Sequence, residues 1–300
     1  MNKQKLTNTI QAAGQVILGK EHQIKLALSC LLANGHLLIE DVPGVGKTTL
    51  AHLLAKLTNL DYQRIQFTSD MLPSDIIGVS VYERKSESFK FHQGAVFSQL
   101  VLADEINRAT AKAQSALLEA MEERQITVDG ECYLLPQPFF VIATQNPNSQ
   151  IGTFDLPESQ LDRFLMRISM GYPDEKSERL ILSGTDPRET LKTIQATLSS
   201  DDLLALQQEM LSVHVSDALL DYLQALILYS RNAPIFENGL SPRAGIAILK
   251  AAKAWALIEG RKHVLPEDLQ AIIPSTVDHR LQSQENELPS RQLLEAVAIP

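Results

Sequence analysis

One short segment restricts this chain more than any other. Asp41-Val42-Pro43-Gly44-Val45-Gly46-Lys47-Thr48 joins the apolar run His36–Glu40 to a stretch that carries Leu50, Leu53, Leu54 and Leu57 at helical spacing. A buried strand must therefore run into a glycine-bearing turn and directly into a helix. Only glycine lets backbone N–H groups close around a phosphate, and the helix amino terminus adds a favourable dipole. In that setting Lys47 would reach the β- and γ-phosphates of a nucleotide, and the Thr48 hydroxyl would bind Mg²⁺. Pro43, Gly44, Val45, Gly46, Lys47, Thr48 and Thr49 form the candidate nucleotide-binding segment. The usual pattern begins with glycine, where this chain has Asp41.

The rest of the first half alternates in the same way. Arg64–Thr68, Leu100–Asp104, Phe139–Thr144 and Phe164–Met170 read as further strands, with helical stretches between most of them, notably Thr110–Glu123. The pattern predicts an α/β fold with a mainly parallel sheet. Val79–Val96 alternates as a hairpin, and Gln125–Leu135 reads as a second one around Asp129-Gly130, a pair suited to a type I′ turn. After Gly171-Tyr172-Pro173 the pattern becomes helical. Ser216, Ser241-Pro242 and Pro266-Glu267-Asp268 each open a helix. These signals divide the chain into an α/β domain, residues 1–172, and an all-helical domain, residues 173–300. The stripe Leu219–Ile227 and Trp255 are expected in the core of the helical part.

The strand Leu100-Val101-Leu102-Ala103 ends in Asp104-Glu105. In a parallel sheet the carboxyl edge is where ligands bind. Asp104 is placed to hold Mg²⁺ through water, and Glu105 to polarise an attacking water. Phosphoryl transfer needs little beyond positioning, charge neutralisation and an oriented nucleophile. The next strand ends Thr144-Gln145-Asn146-Pro147, so the Asn146 amide could orient that water.

With 300 residues there is room for two domains. The net charge of −9 argues against a broad surface for nucleic acid or anionic membrane. Cys30 and Cys132 make no zinc motif or disulfide framework, and both read as reduced packing residues. The amino terminus lacks the apolar core of a signal peptide, and no apolar run is long enough to span a bilayer. A cytoplasmic protein without membrane insertion is expected. The seven histidines show no metal-ligand spacing.

Taken together, IEDVPGVGKTTLA (39–51), LVLADEINRA (100–109), ALLEAMEERQITVDG (116–130), VIATQNP (141–147), LPESQLDRFLMRI (156–168) and LSPRAGIAILKAAKAWALIEGR (240–261) resemble an AAA+ ATPase, and more closely the MoxR family. The resemblance implies an AAA+ core with a helical lid, ATP and Mg²⁺ as cofactors, and nucleotide held between neighbouring subunits of a homo-oligomeric, hexameric ring. It implies that Arg163 is an arginine finger donated in trans, with a structural salt bridge to Asp155 or Asp162 as the alternative and Arg167 as a weaker candidate. It implies that Arg243 is a second sensor reaching the γ-phosphate from the lid, the alternative being a solvated first-turn arginine. Ile17 and Gly19 match a loop that packs near adenine, though such residues also serve as plain core. Glu122-Glu123-Arg124 is a solvated helix end or crosses a subunit interface. The two hairpins match inserts that face substrate or pore in related motors. By resemblance the protein remodels or matures a protein partner, a candidate being a protein with a von Willebrand factor A domain. An ATP-driven assembly switch is the rival reading, and a nucleic-acid motor or small-molecule kinase fits less well.

Overall fold

A computed structural model describes residues 2–147, 154, 156–184, 186–285 and 287–299. The chain begins with α1 (Asn2–Val16) and α2 (Glu21–Leu32), followed by β1 (Leu37–Glu40), α3 (Lys47–Leu57), β2 (Tyr62–Gln66) and α4 (Pro73–Ile77). The hairpin β3 (Gly78–Glu83) and β4 (Ser88–Gln93) precedes β5 (Leu100–Asp104) and α5 (Ala111–Glu123). A second hairpin, β6 (Gln125–Val128) and β7 (Glu131–Leu134), leads to β8 (Phe140–Gln145), α6 (Glu158–Leu161) and β9 (Met166–Ile168). The remaining elements are helices: α7 (Glu175–Leu182), α8 (Pro187–Thr193), α9 (Ser200–Leu211), α10 (Asp217–Asn232), α11 (Pro242–Ile258), α12 (Pro266–Val277) and α13 (Pro289–Ala296).

The central sheet has the order β2-β5-β8-β1-β9, and every pairing is parallel. Its inner strands β5 and β8 are buried along their whole length, which is why they read as unbroken apolar runs rather than alternating ones. The period of two then sorts side chains between two cores. Leu37, Ile39, Leu100 and Leu102 pack on the side of α2, α3 and the helical lid. Leu38, Val101, Ala103, Val141 and Ala143 pack on the side of α5, against Ala113, Leu117, Leu118 and Met121.

Several predicted features fall where the spacing put them. The side chains of Thr110, Ser216 and Ser241 cap α5, α10 and α11. At the tip of the second hairpin, Asp129 and Gly130 both have positive φ, 53° and 83°, as a type I′ turn demands. Leu219, Leu223, Leu226 and Trp255 are buried in the lid, Trp255 with its ring 5.4 Å from His22 of α2, whereas Leu220 of the same stripe is exposed and is not a core residue.

Other features differ. The strand predicted over Phe164–Met170 is only Met166–Ile168. The Phe164 carbonyl accepts from His279 Nε2 and Arg280, and the Leu165 carbonyl accepts from Arg280, so lid side chains take the place of a ladder. The strand expected over Arg64–Thr68 is Tyr62–Gln66. Helix α1 buries Leu6, Ala13 and Val16 on one face, a pattern obscured by the polar residues around it. Cys30 packs in the core, but Cys132 is exposed on β7 and is not a packing residue. Arg124 is not part of a solvated helix end. It donates to the carbonyls of Phe139 and Asn34, and Glu122 pairs with Arg243. Among the described residues no helix is long and apolar enough to cross a membrane.

Candidate nucleotide site

The carboxyl ends of β1, β5 and β8 lie side by side, because β8 pairs with both of the others. The segments leaving these strands therefore converge on one edge. After β1 comes the glycine loop. Gly44 and Gly46 have φ of 88° and 95°, the left-handed region, and a Cβ on either would meet nothing within 4 Å. They are there for the backbone path, and the space beside them stays open. Gly46 also forms the N-cap of α3. Lys47 is nearly buried. Its ammonium donates to the Asp41 carbonyl, to the Gln145 carbonyl at 3.2 Å and to Asn146 Oδ1 at 2.7 Å. Burial lowers its pKa from the ordinary lysine value, although Asp41, Asp104, Glu105 and Glu40 pull the other way. Thr48 and Thr49 are half-buried in the first turn of α3, and Pro43 is exposed.

The two acids after β5 are held tightly. Asp104 Oδ1 accepts from the Thr144 hydroxyl at 2.6 Å, and Oδ2 accepts from Arg64 Nη2 at 2.7 Å and Nε at 3.1 Å. Glu105 has φ 57° and ψ 49°, a left-handed conformation uncommon outside glycine. Its N–H donates to Thr144 Oγ1 at 2.9 Å. One Glu105 carboxylate oxygen accepts from Gln66 Nε2 at 3.0 Å and Arg108 Nη1 at 2.9 Å, and the other faces Asn146 Nδ2 at 3.4 Å. Asn146 therefore bridges Lys47 and Glu105. Thr144, Arg64 and Gln66 were not foreseen from the sequence. The alternation of β2 alone could have hinted that Arg64 and Gln66 share a face.

The set suits a nucleoside triphosphate with Mg²⁺. Open left-handed glycines, a buried ammonium and a helix start are fit for phosphate oxygens. A threonine hydroxyl and a carboxylate are the hard oxygen donors Mg²⁺ takes alongside phosphate. Beside the loop a recess of about 240 Å³ is bounded by Ile17 and Leu18, by Gly44 to Gly46, and by Gly171 and Pro173 of the connector between β9 and α7. Gly19 is not on its wall. It has φ 69°, and a Cβ there would lie 2.6 Å from Ser177 Oγ and 2.7 Å from Asp174 Oδ2, so its absent side chain admits the start of α7.

Arg163 and Arg243 are elsewhere. Both line a separate recess with Asn34 to His36, the residues that enter β1, whereas the glycine loop leaves β1 at its other end. Arg163 donates to the Leu118 carbonyl at 2.7 Å, and Arg243 pairs with Glu122 rather than standing solvated alone. Asp162 accepts from Arg280, not from Arg163, and Asp155 lies outside the described residues. Arg167 is engaged with Glu40 at 3.0 Å and with the Asp278 carbonyl at 3.0 Å. In this second recess five bases, Arg124, Arg163, Arg243, Lys250 and Arg280, face two acids, Glu122 and Asp162. On a chain of net charge −9 that is a local positive site.

A parallel sheet with a glycine loop, paired acids on the adjoining strand and a helical lid defines a P-loop nucleotide-binding protein. Residues 36–166 match the family model described as "ATPase family associated with various cellular activities (AAA)", and residues 228–297 match the AAA lid domain. The chain belongs to the AAA family of ATPases. It is 43% identical over 303 residues to "Uncharacterized protein YeaC" of Bacillus subtilis, covering 98% of this chain and 95% of that protein. It is 40% identical to "Chaperone MoxR1" of Mycobacterium tuberculosis, covering 92% of this chain and 75% of the relative. A crystal structure of a candidate ATPase from Cytophaga hutchinsonii superposes with a TM-score of 0.91 at 37% identity, covering 100% of this chain and 96% of that one.

Proposed function

We propose that this chain is a MoxR-type AAA ATPase that hydrolyses ATP with Mg²⁺ in a homo-oligomeric, hexameric ring and uses the turnover to remodel or mature a protein partner in the cytoplasm. ATP supplies the γ-phosphoryl group that passes to water. Lys47 exchanges its carbonyl contacts for phosphate oxygens. Thr48 and Asp104 would hold the metal. Glu105 takes the proton of the attacking water, and the Asn146 amide, already between Lys47 and Glu105, orients it. Ile17 and the connector flank the base. We take 1–172 and 173–300 as the two working parts.

The observation that carries the ring is the separation of the arginines from the phosphate loop. Arg163 and Arg243 lie at the entry of β1 and the loop at its exit, so neither guanidinium serves its own protomer's nucleotide. A head-to-tail contact brings the positive recess of one protomer onto the triphosphate of the next, and such contacts close into rings. The remodelling role is supported by the name of the mycobacterial relative, "Chaperone MoxR1". A partner with a von Willebrand factor A domain rests on the family resemblance alone.

Mixing variants tests this reading. Arg163→Ala and Lys47→Ala should each be inactive alone. In an equal mixture about one interface in four pairs an intact Lys47 with an intact neighbouring Arg163, so about a quarter of wild-type phosphate release should return. A mixture that never regains turnover refutes donation in trans.

A further inference from the structure

The hydrolytic scheme leaves Asp41 without a task, although it stands where such loops ordinarily begin with glycine. Its carboxylate is nearly buried and fully committed. Oδ1 accepts from the Val42 N–H at 2.8 Å, at the root of the loop. Oδ2 reaches across to the end of β9, where it accepts from the Ser169 hydroxyl at 2.8 Å and from the Gly171 N–H at 2.6 Å. Burial pushes the Asp41 pKa up, but the Gly171, Ser169 and Val42 donors outweigh it and hold the carboxyl below the usual aspartate value.

The segment it grips is the connector from β9 to α7. Gly171 turns there with φ 60°, and Gly171 and Pro173 line the recess that Ile17 also lines. The connector has a second strap, since Lys20 Nζ donates to the Tyr172 carbonyl at 2.6 Å. Lys20 follows the Ile17 to Gly19 turn and also lines the recess. The phosphate side and the nucleoside side of the site thus meet at one carboxylate. Asp41 also touches the phosphate side through its own carbonyl, which accepts from Lys47.

The geometry points to Asp41 as a positioning residue that fixes the 171–173 wall against the phosphate loop and thereby sets affinity for the nucleoside part of the ligand separately from its phosphates. The inference rests on the proposed nucleotide site. A glycine at this position offers no carboxylate to the Ser169 hydroxyl or the Gly171 N–H, leaving the Lys20 strap on the Tyr172 carbonyl.

Ser169 gives the cleanest test, because it is exposed and lies outside the phosphate loop. Titration calorimetry with ATP and with inorganic tripolyphosphate separates the two halves of the ligand. Ser169→Ala should weaken ATP about 3- to 10-fold, the effect of one hydrogen bond discounted for the exposure of the hydroxyl, and leave tripolyphosphate within about 2-fold. In steady-state turnover it should raise KM for ATP by a similar factor with kcat within about 2-fold, and Ser169→Thr should restore both. Asp41→Asn should weaken ATP further, and adding Ser169→Ala to it should cost little more, because the two act through one contact. Parallel weakening of ATP and tripolyphosphate in Ser169→Ala, unchanged ATP affinity, or simple additivity in the double variant would overturn the inference while leaving the nucleotide site intact. A wild-type chain that binds neither ligand would remove both.

Discussion

Thr144 is the point at which the sheet controls the two acids, and Thr144→Val is the sharpest test of the site. The side chain is fully buried, and its single hydroxyl donates to Asp104 Oδ1 and accepts from the Glu105 N–H. Valine keeps the volume and the β-branch, so packing and strand propensity hardly change. The substitution deletes one hydrogen bond to a carboxylate and the partner of one backbone N–H. A bond to a charged group contributes about 1.5–3 kcal/mol, and an orphaned buried donor costs about 1–3 kcal/mol. Discounting for relaxation and partial exposure of the site, the expected loss of stability is about 2–4 kcal/mol. The catalytic loss comes through Glu105 itself, whose left-handed backbone is anchored by that same N–H. With the anchor gone the carboxylate drifts by a fraction of an ångström or more, which lowers turnover on the order of 10²-fold. ATP affinity, set by Lys47 and the glycine loop, should stay within a few-fold. Urea unfolding and steady-state phosphate release measure the two effects, and Thr144→Ser should recover both. Wild-type kcat in Thr144→Val would refute the idea that this hydroxyl positions the acids.

Glu105→Gln should bind ATP as the parent does but hydrolyse it at least about 10²-fold more slowly, measured by single-turnover phosphate release, because glutamine cannot take the proton; parental turnover would remove Glu105 from its role. Stability should fall on mild acidification because of two buried imidazoles. Burial, and then the charge of Arg124 for His36 and of Arg280 for His279, hold both well below the ordinary histidine value. The unfolded chain gains protons below about pH 6.5 that the native chain refuses, so native stability decreases as pH drops. Between pH 8 and 5.5 the pair can cost at most about 3 kcal/mol, visible as a lower urea midpoint. Asp268 and Asp278, whose pKa values burial raises, act in the opposite sense, and His22, its pKa lowered by burial and then by the charge of Lys25, adds to the fall. The assignment to His36 and His279 is therefore checked by replacing each with glutamine, which should flatten the dependence. A pH dependence that survives unchanged in the His36→Gln and His279→Gln variants would refute this account.

Much of the fold was readable because its signals are local. The glycine loop, the runs of β5 and β8, the serine caps and the Asp129-Gly130 turn each depend on neighbours in sequence. The hidden parts depend on residues far apart in the chain. Arg64 and Gln66 reach the acids from β2, some 40 positions earlier. Arg280 supports the Asp162–Leu165 segment from just beyond the end of α12, which shortens β9. Asp41 finds Ser169 and Gly171 just beyond β9. The arginine roles could be named only by resemblance, since no spacing tells which end of β1 a side chain from residue 163 or 243 will approach. In α1 the apolar stripe is thin, and its packing on the lid is a tertiary fact.

Helix α5 connects more of this molecule than its 13 residues would indicate. Its amino end comes after the Ile106–Arg108 turn that leaves Glu105, and its last turns offer the Leu118 carbonyl to Arg163 and Glu122 to Arg243. Beyond Arg124 the chain enters β6, and Tyr133 of the same hairpin packs at a tilt of 30° against Phe91 of the other, ring centres 4.3 Å apart. A rod of about 20 Å, clamped in a close-packed core, moves as a piece or not at all. Any tilt of this helix is therefore passed to both hairpins, to one through the chain at Arg124 and to the other through the contact of Phe91 with Tyr133.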